Sequence, residues 1–309
     1  MHWRLKGVVQ KALGVVPGGR ALHHRLQRGF GGLRRFDREL AGKVDDWAIM
    51  ARHLRDAGIP IAGTRFFELG TGWYPTFPLA CVLAGATRVE TFDLTRHLRP
   101  ELVRACVAGL HAHLGTIAAA GGASAADVAT RHASIAEAMA RGADLAGASD
   151  GAIRYHAPVD ATRSGLPDAA VDVVFSNSVL EHVAPEAIPA LFREAIRVLR
   201  AGGAMFHSVN CGDHYAYVDP ALNQLHYLRY SDRGWRFWNN EFLYQNRLRA
   251  HAFPDAARDA GFAIELDTSK ARPERLRQLA AMRVHPQFAG IPPERLCITT
   301  VDFLARKPG

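Results

Sequence analysis

The run Arg65-Phe66-Phe67-Glu68-Leu69-Gly70-Thr71-Gly72-Trp73-Tyr74-Pro75 constrains the fold more than any other stretch of this chain. A short apolar strand enters a turn with two glycines, and residues 78–84 then read as a helix. Gly70 and Gly72 let the backbone turn tightly and approach a ligand closely. The same residues also suit a plain strand-to-helix corner. The rest of the chain continues the alternation. Further strands are expected at 88–93, 153–159, 171–175, 204–209, 262–266 and 296–304, and helices at 20–58, 98–120 and 185–199. The last helix would be stopped by Gly202-Gly203. An Ala/Gly-rich stretch, 118–149, reads as two helices and a loop. Strands alternating with helices predict a parallel sheet with right-handed crossovers, an α/β doubly wound fold. In such sheets ligands bind beyond the carboxyl ends of the strands.

The 309 residues allow two small domains or one large one with additions. The expected layout is an N-terminal helical extension over 1–60, then one domain over 61–309 with a cap inserted at about 212–250. With 48% apolar and 22% charged residues, a collagen, a disordered tail protein and a disulfide scaffold are excluded. Cys81, Cys106, Cys211 and Cys297 lie far apart with no C-x-x-C pair, which argues against a zinc knuckle or redox dithiol and suits a reducing compartment. No His/Cys/Asp cluster shows metal-ligand spacing, so no metal is expected. No apolar run approaches a membrane span, and Lys6, Gln10 and Lys11 break any signal-peptide core. A cytoplasmic protein is the expectation.

Lys and Arg total 38 against 30 Asp and Glu, a net charge of +8. Basic residues crowd the start: Arg4, Lys6, Lys11, Arg20, Arg25, Arg28, Arg34, Arg35 and Arg38. Between them Trp3, Leu5, Val8, Val9, Ala12, Leu13 and Val16 recur at helical spacing. Such a basic amphipathic helix either touches an anionic membrane peripherally or packs on the core with a solvated basic face. Core packing is the expected role.

Two details sharpen the glycine turn. The third glycine of a dinucleotide fingerprint would fall at Pro75, where close helix–strand packing disfavours proline. Glu68 also places a carboxylate where a pyrophosphate would lie, which disfavours an anionic cofactor and suits a cationic one. A nicotinamide enzyme is therefore not expected. Asp93, about twenty residues past the glycines, can accept both hydroxyls of a ribose or cap a helix. The glycine turn ahead of it favours the ribose.

Glu68-Leu69-Gly70-Thr71-Gly72 followed by Asp93 resembles the cofactor site of class I S-adenosylmethionine-dependent methyltransferases. A second block is more specific. It runs Val159-Asp160-Ala161, then Leu166-Pro167-Asp168-Ala169-Ala170-Val171-Asp172-Val173-Val174-Phe175-Ser176-Asn177-Ser178-Val179-Leu180-Glu181-His182-Val183, and ends in Arg197-Val198-Leu199-Arg200-Ala201-Gly202-Gly203. It is similar to the small-molecule, type 11-like branch of that family. The resemblance covers about 62–212 plus the late strand pair, and implies a Rossmann-like sheet of seven strands, the last antiparallel, with S-adenosylmethionine as cofactor. Glu68, Gly70, Thr71 and Gly72 would face its methionine end and Asp93 its ribose. Asp160 and the Ala161 N–H would reach the adenine, and Asn177 and Ser178 would line the path beside the sulfonium. Tyr74 departs from the family, which often has a third glycine there.

An oxygen or nitrogen acceptor benefits from a base. His182, in the loop after the fourth strand, is the first candidate, with His207 and His214 behind it. The cap is rich in aromatic and Arg residues, which suit sugars, aromatic acids or phosphorylated groups. Tyr230, Trp235, Tyr244, Asn246, Arg247 and Arg249 are its candidate acceptor contacts, with Asn246 and Arg249 sharing one face if the stretch is helical. The expected function is methyl transfer to a small-molecule or glycan-like acceptor, on oxygen. The alternatives are a nucleic-acid methyltransferase, disfavoured because Ser176-Asn177-Ser178-Val179 is not an Asn/Asp-Pro-Pro-aromatic loop and no RNA-binding module is appended, and a non-catalytic cofactor-binding protein.

Overall fold

The computed structural model describes residues 2–16, 36–240, 242 and 244–309. Of the helix expected over 20–58, residues 20–35, with Arg20, Arg25, Arg28, Arg34 and Arg35, lie outside the described residues. Helix α1 is Trp3–Val15 and α2 is Phe36–Asp56. Strand β1 (Arg65–Leu69) leads into α3 (Thr76–Leu83), and β2 (Arg88–Phe92) into α4 (Pro100–Leu110) and α5 (Leu114–Gly121). Then come α6 (Ala125–Ala140), the short α7 (Leu145–Ala148), β3 (Ile153–His156) and β4 (Val171–Asn177). Helix α8 (Ile188–Val198) runs into β5 (Leu199–Asn210). After the cap, with its turn α9 (Asp232–Trp235), follow α10 (Ala252–Asp259), β6 (Ala263–Asp267), α11 (Pro273–Ala280), α12 (Pro293–Leu296) and β7 (Thr300–Arg306).

The strands form one sheet in the order β3-β2-β1-β4-β5-β7-β6. Neighbours from β3 to β5 are parallel, while β7 runs antiparallel to both β5 and β6. This is the expected doubly wound α/β sheet of seven strands with the last one reversed. Strand order reverses between β1 and β4, the crevice where ligands bind in such sheets. Alternate residues of the central strands point to opposite faces. Phe66, Val173, Phe175 and Phe206 join α2–α7 in one core layer, and Phe67, Val174 and Met205 join α8 and α10 in the other.

Two expectations are corrected. The glycines Gly202 and Gly203 do not stop α8, which ends at Val198 because Leu199 already pairs with Val171. They lie within β5, where a Cβ on Gly203 would sit 2.9 Å from the Arg200 carbonyl oxygen and 3.0 Å from that of Asp172. Pro100–Gly121 is long and apolar enough to cross a membrane by length and composition alone. In this fold it is two helices, α4 and α5, joined by a 3₁₀ turn and packed on α2 and α6.

A third core cluster holds the cap. Tyr215, Tyr227, Leu228 and Trp235 pack with Leu279, Phe288 and Leu296 from the chain after β6, and with Trp3 of α1. Trp3 is 4% exposed, and its ring meets those of Tyr215, His226, Tyr230 and Trp238 at centroid distances of 4.6–6.1 Å. Gly7 and Gln10 lie on the same buried stripe. Leu5, Val8 and Val9 face outward. The extension is thus built into the cap by one face of α1.

Candidate active site

The turn after β1 reads out two different needs for glycine. Gly70 has φ +75°, and a Cβ there would lie 2.6 Å from Cγ2 of Val179 in the loop after β4. Gly72 has φ +70° with open space where a Cβ would go, so its conformation alone requires glycine. Its N–H donates to Oδ2 of Asp93 at 3.2 Å, and the Tyr155 hydroxyl donates to the same oxygen at 3.0 Å. Burial pushes the Asp93 carboxyl up to about 7, with both hydrogen bonds opposing. Glu68 is buried, accepts from the Thr91 hydroxyl at 2.5 Å, and is pushed up to about 8, again by burial. Thr71 and Thr91 share a hydroxyl–hydroxyl bond.

Glu68, Gly70, Thr71, Gly72 and Asp93 line a cavity of about 750 Å³, together with Asn177, Ser178 and His182. Ser178 sits at φ +54°, a conformation that costs a non-glycine residue of order 1–3 kcal/mol and is met most often at functional sites. An adjoining cavity of about 590 Å³ shares Gly70, Asp93, Val179 and His182 with the first and adds Asp160 and Ala161. The exposed Asp160 carboxylate accepts the Thr162 N–H at 2.9 Å and so caps the 3₁₀ turn Ala161–Arg163. All nine expected cofactor residues therefore border one trough: Glu68, Gly70, Thr71, Gly72, Asp93, Asn177 and Ser178 at one end, Asp160 and Ala161 at the other.

Helix α2 contributes what the sequence reading missed. Arg38, Glu39, Lys43 and Asp46 line the first cavity. The Lys43 ammonium donates to Oδ1 of Asn177. The signal was present but ambiguous, because a polar stripe opposite Leu40, Val44, Trp47 and Leu54 looks the same whether it faces solvent or a ligand.

The three candidate histidines separate. His182 lines both cavities, and its Nδ1 lies 2.5 Å from the Tyr244 carbonyl oxygen. A carbonyl only accepts, so Nδ1 carries the proton and Nε2 the lone pair. His214 lies beside it, ring centroids 5.1 Å apart, with an unpartnered Nε2 and a pKa pushed down to about 3, chiefly by burial. Glu181, His182 and His214 bring one ligand-type atom each within 4.8 Å of one another, a grouping that sequence spacing did not reveal. His207 is not part of the trough. It is fully buried between Phe192 and Phe303, hydrogen-bonded to the Ser176 hydroxyl at 2.7 Å, and lowered to about 3 by burial. Its strand position turned the ring into the packed layer, so the expectation for His207 is withdrawn.

Most of the cap candidates are structural. Residues 244–249 form no helix, and Arg247 has φ +61°, so the shared face of Asn246 and Arg249 does not exist. Asn246 donates its side-chain amide to the carbonyls of Leu180 and Val183 at 2.7 and 2.9 Å, fixing the loop that carries His182. Arg247 is buried and spent on the carbonyls of Tyr227 and Tyr230 and on Asp232. Arg249, 2% exposed, is spent on the Cys211 and Ile298 carbonyls and the Tyr227 hydroxyl. Trp235 fills the cap core. Tyr230 faces a different cavity, and among the six only Tyr244 lines the trough.

Residues 116–207 match the family model Methyltransf_11, a methyltransferase domain. No curated protein matches the chain. Similar solved structures include an S-adenosylmethionine-dependent methyltransferase from Mesorhizobium loti, with 18% identity over 82% of this chain and 96% of that one and a TM-score of 0.45. Another is phosphoethanolamine N-methyltransferase 2 of Haemonchus contortus with S-adenosylhomocysteine, at 16% identity over 84% and 52% of the two chains and TM-score 0.44. A third is geranyl diphosphate methyltransferase with sinefungin, at 15% identity over 84% and 77% and TM-score 0.45. The matched stretch runs from α5 into β5.

Proposed function

We propose that the protein methylates a hydroxyl group of a small-molecule or glycan-like acceptor. The observation that carries this reading is the His182 ring, locked by Tyr244 with Nε2 unprotonated, on the wall common to both cavities. S-adenosylmethionine supplies a methyl group on a cationic sulfur, which needs no further activation. The chain's task is alignment, which can supply ~7–11 kcal/mol of barrier reduction.

Asp93 would accept the ribose hydroxyls, and Asp160 with the Ala161 N–H would take the adenine. Lys43 would pair with the carboxylate of the methionine end, beside Glu68 and the Gly70–Gly72 turn. Asn177 and Ser178 would border the methyl group. An acceptor hydroxyl entering past Tyr244 would give its proton to Nε2 of His182. Burial lowers the His182 pKa, so the ring is neutral and ready to accept at pH 7. In the transfer the acceptor oxygen gains the methyl carbon, and the carbon–sulfur electron pair stays on sulfur.

The test is a transfer assay with methyl-labelled donor against hydroxylated small molecules and saccharides, with RNA and DNA as parallel arms. Label in an O-methyl product that disappears in His182→Ala supports the reading. Label confined to nucleic acid or to amines overturns it, as does cofactor binding without turnover of any acceptor.

A further inference from the structure

Three stretches distant in sequence close another cavity, of about 770 Å³, that shares no residue with the trough. The start of α1 supplies His2, Trp3 and Arg4. The cap supplies Arg229 and Tyr230, and the chain after α11 supplies Arg283 and His285. None of the lining residues is acidic. Among the described residues, Arg4, Arg229 and Arg283 make no ion pair, and Asp219, the carboxylate beside His2, is held by the N–H groups of Trp3 and Ala221.

The histidines add donors. Nδ1 of His2 accepts the Arg4 N–H at 3.3 Å, and Nδ1 of His285 accepts the Gln287 N–H at 3.3 Å. Each neutral ring must then carry its proton on Nε2. The third ring, His226, is engaged at Nδ1 with Asp213 at 2.9 Å and at Nε2 with the Tyr230 hydroxyl at 3.4 Å. The cavity thus gathers three guanidinium forks and two Nε2–H groups with no carboxylate in its lining, while Asp219 and Asp232 lie behind His2 and His285 and are already held by other donors. Like charges held together repel unless a ligand compensates, and the planar guanidinium fork matches phosphate oxygens in pairs. The volume falls within the 300–1,000 Å³ typical of small-molecule sites. Trp3 and Tyr230 offer ring surfaces beside the charges.

We propose that this cavity binds a ligand bearing a phosphate or diphosphate group, outside the methyl-transfer trough. Two sources share that chemistry. One is a free sugar- or nucleoside-phosphate compound. The other is a lipid headgroup, for which Leu5, Val8 and Val9 on the outer face of α1 would supply an apolar contact.

The test uses the full-length protein and two probes, pyrophosphate by calorimetry and phosphatidylcholine vesicles with or without phosphatidic acid by sedimentation. Pyrophosphate is expected to bind once per chain, more weakly as salt rises, and at least tenfold more weakly to Arg229→Ala/Arg283→Ala. Both arginines are exposed, so the melting curve and cofactor binding should not move, and Arg229→Ala alone serves if the double variant fails to fold. Association with phosphatidic acid vesicles alone, lost in the variant, assigns the lipid source. The proposal is overturned if neither probe binds the wild type, or if the variants bind both probes as the wild type does. Cofactor binding, measured on the same samples, keeps this outcome separate from the methyltransferase reading.

Discussion

The Gly72 N–H donates to the Asp93 carboxylate at 3.2 Å, so the turn after β1 and the tip of β2 form one unit at the centre of the trough. The carboxyl of Asp93 stands near 7 in this state because burial disfavours its charge. To accept two ribose hydroxyls it must be ionised, so binding below pH 7 must release a proton. Cofactor affinity should therefore rise with pH, by up to about tenfold per unit below 7, and level off above it. Calorimetry in buffers of differing ionisation heat checks this, since proton release appears as a buffer-dependent enthalpy. Asp93→Ala should weaken binding by about 1.5–3 kcal/mol, the range for hydrogen bonds to a charged group, and abolish the pH dependence. A flat profile in the wild type would remove Asp93 from the site.

Lys43 links the extension to the chemistry. Lys43→Met should weaken S-adenosylmethionine and S-adenosylhomocysteine by about tenfold, or about 1.4 kcal/mol, as expected for loss of a charge-assisted hydrogen bond. Methylthioadenosine lacks the amino-acid end, so its affinity should stay unchanged. Equal weakening of all three ligands would mean that Lys43 acts only by holding Asn177.

The histidines should behave in opposite ways. His182→Ala should lower kcat by about 10²–10⁴, the usual contribution of a positioned base, with cofactor affinity preserved. His207→Ala removes the partner of a buried Ser176 hydroxyl, which costs about 1–3 kcal/mol before any cavity cost. Its melting temperature should fall while kcat per folded molecule holds. Parallel melting and single-turnover measurements separate the two.

The same contrast applies to Arg249. Its guanidinium serves two carbonyls and the Tyr227 hydroxyl in the interior, and each buried acceptor left unpaired costs about 1–3 kcal/mol. Arg249→Ala should melt several degrees lower, at roughly 2–4 °C per kcal/mol for a domain of this size. KM for the acceptor should not change in the folded fraction. A raised KM with an unshifted melting curve would restore Arg249 to the acceptor site.

Deleting residues 1–16 removes Trp3 from the cap core. Loss of a buried tryptophan costs about 3–5 kcal/mol, so the truncated protein should show a lowered melting temperature. An unshifted curve would mean that α1 does not support the cap.

What the sequence determined by itself is local in origin. Apolar runs such as Phe66–Phe67 and Val173–Phe175 specify buried strands, and Gly70, Gly72 and Asp93 mark the strand ends, because period, backbone freedom and a carboxylate at a strand tip are all legible within a few residues. The alternation of strands and helices, and with it a doubly wound sheet with a glycine turn at its ligand-binding edge, followed from that. The tertiary structure decided which polar side chains face a ligand. Lys43 and Asn177 are 134 positions apart, and no local pattern tells a solvated lysine from one turned into a cavity. Arg247 and Arg249 look like a ligand clamp in sequence, yet the fold closes over them and supplies carbonyls as partners. His182 and His207 differ in the same way: a loop position leaves one ring at the trough, while the sheet's alternation carries the other into the packed layer. A side chain's charge and shape belong to the sequence, but its desolvation and its partner depend on which distant segment the fold brings against it.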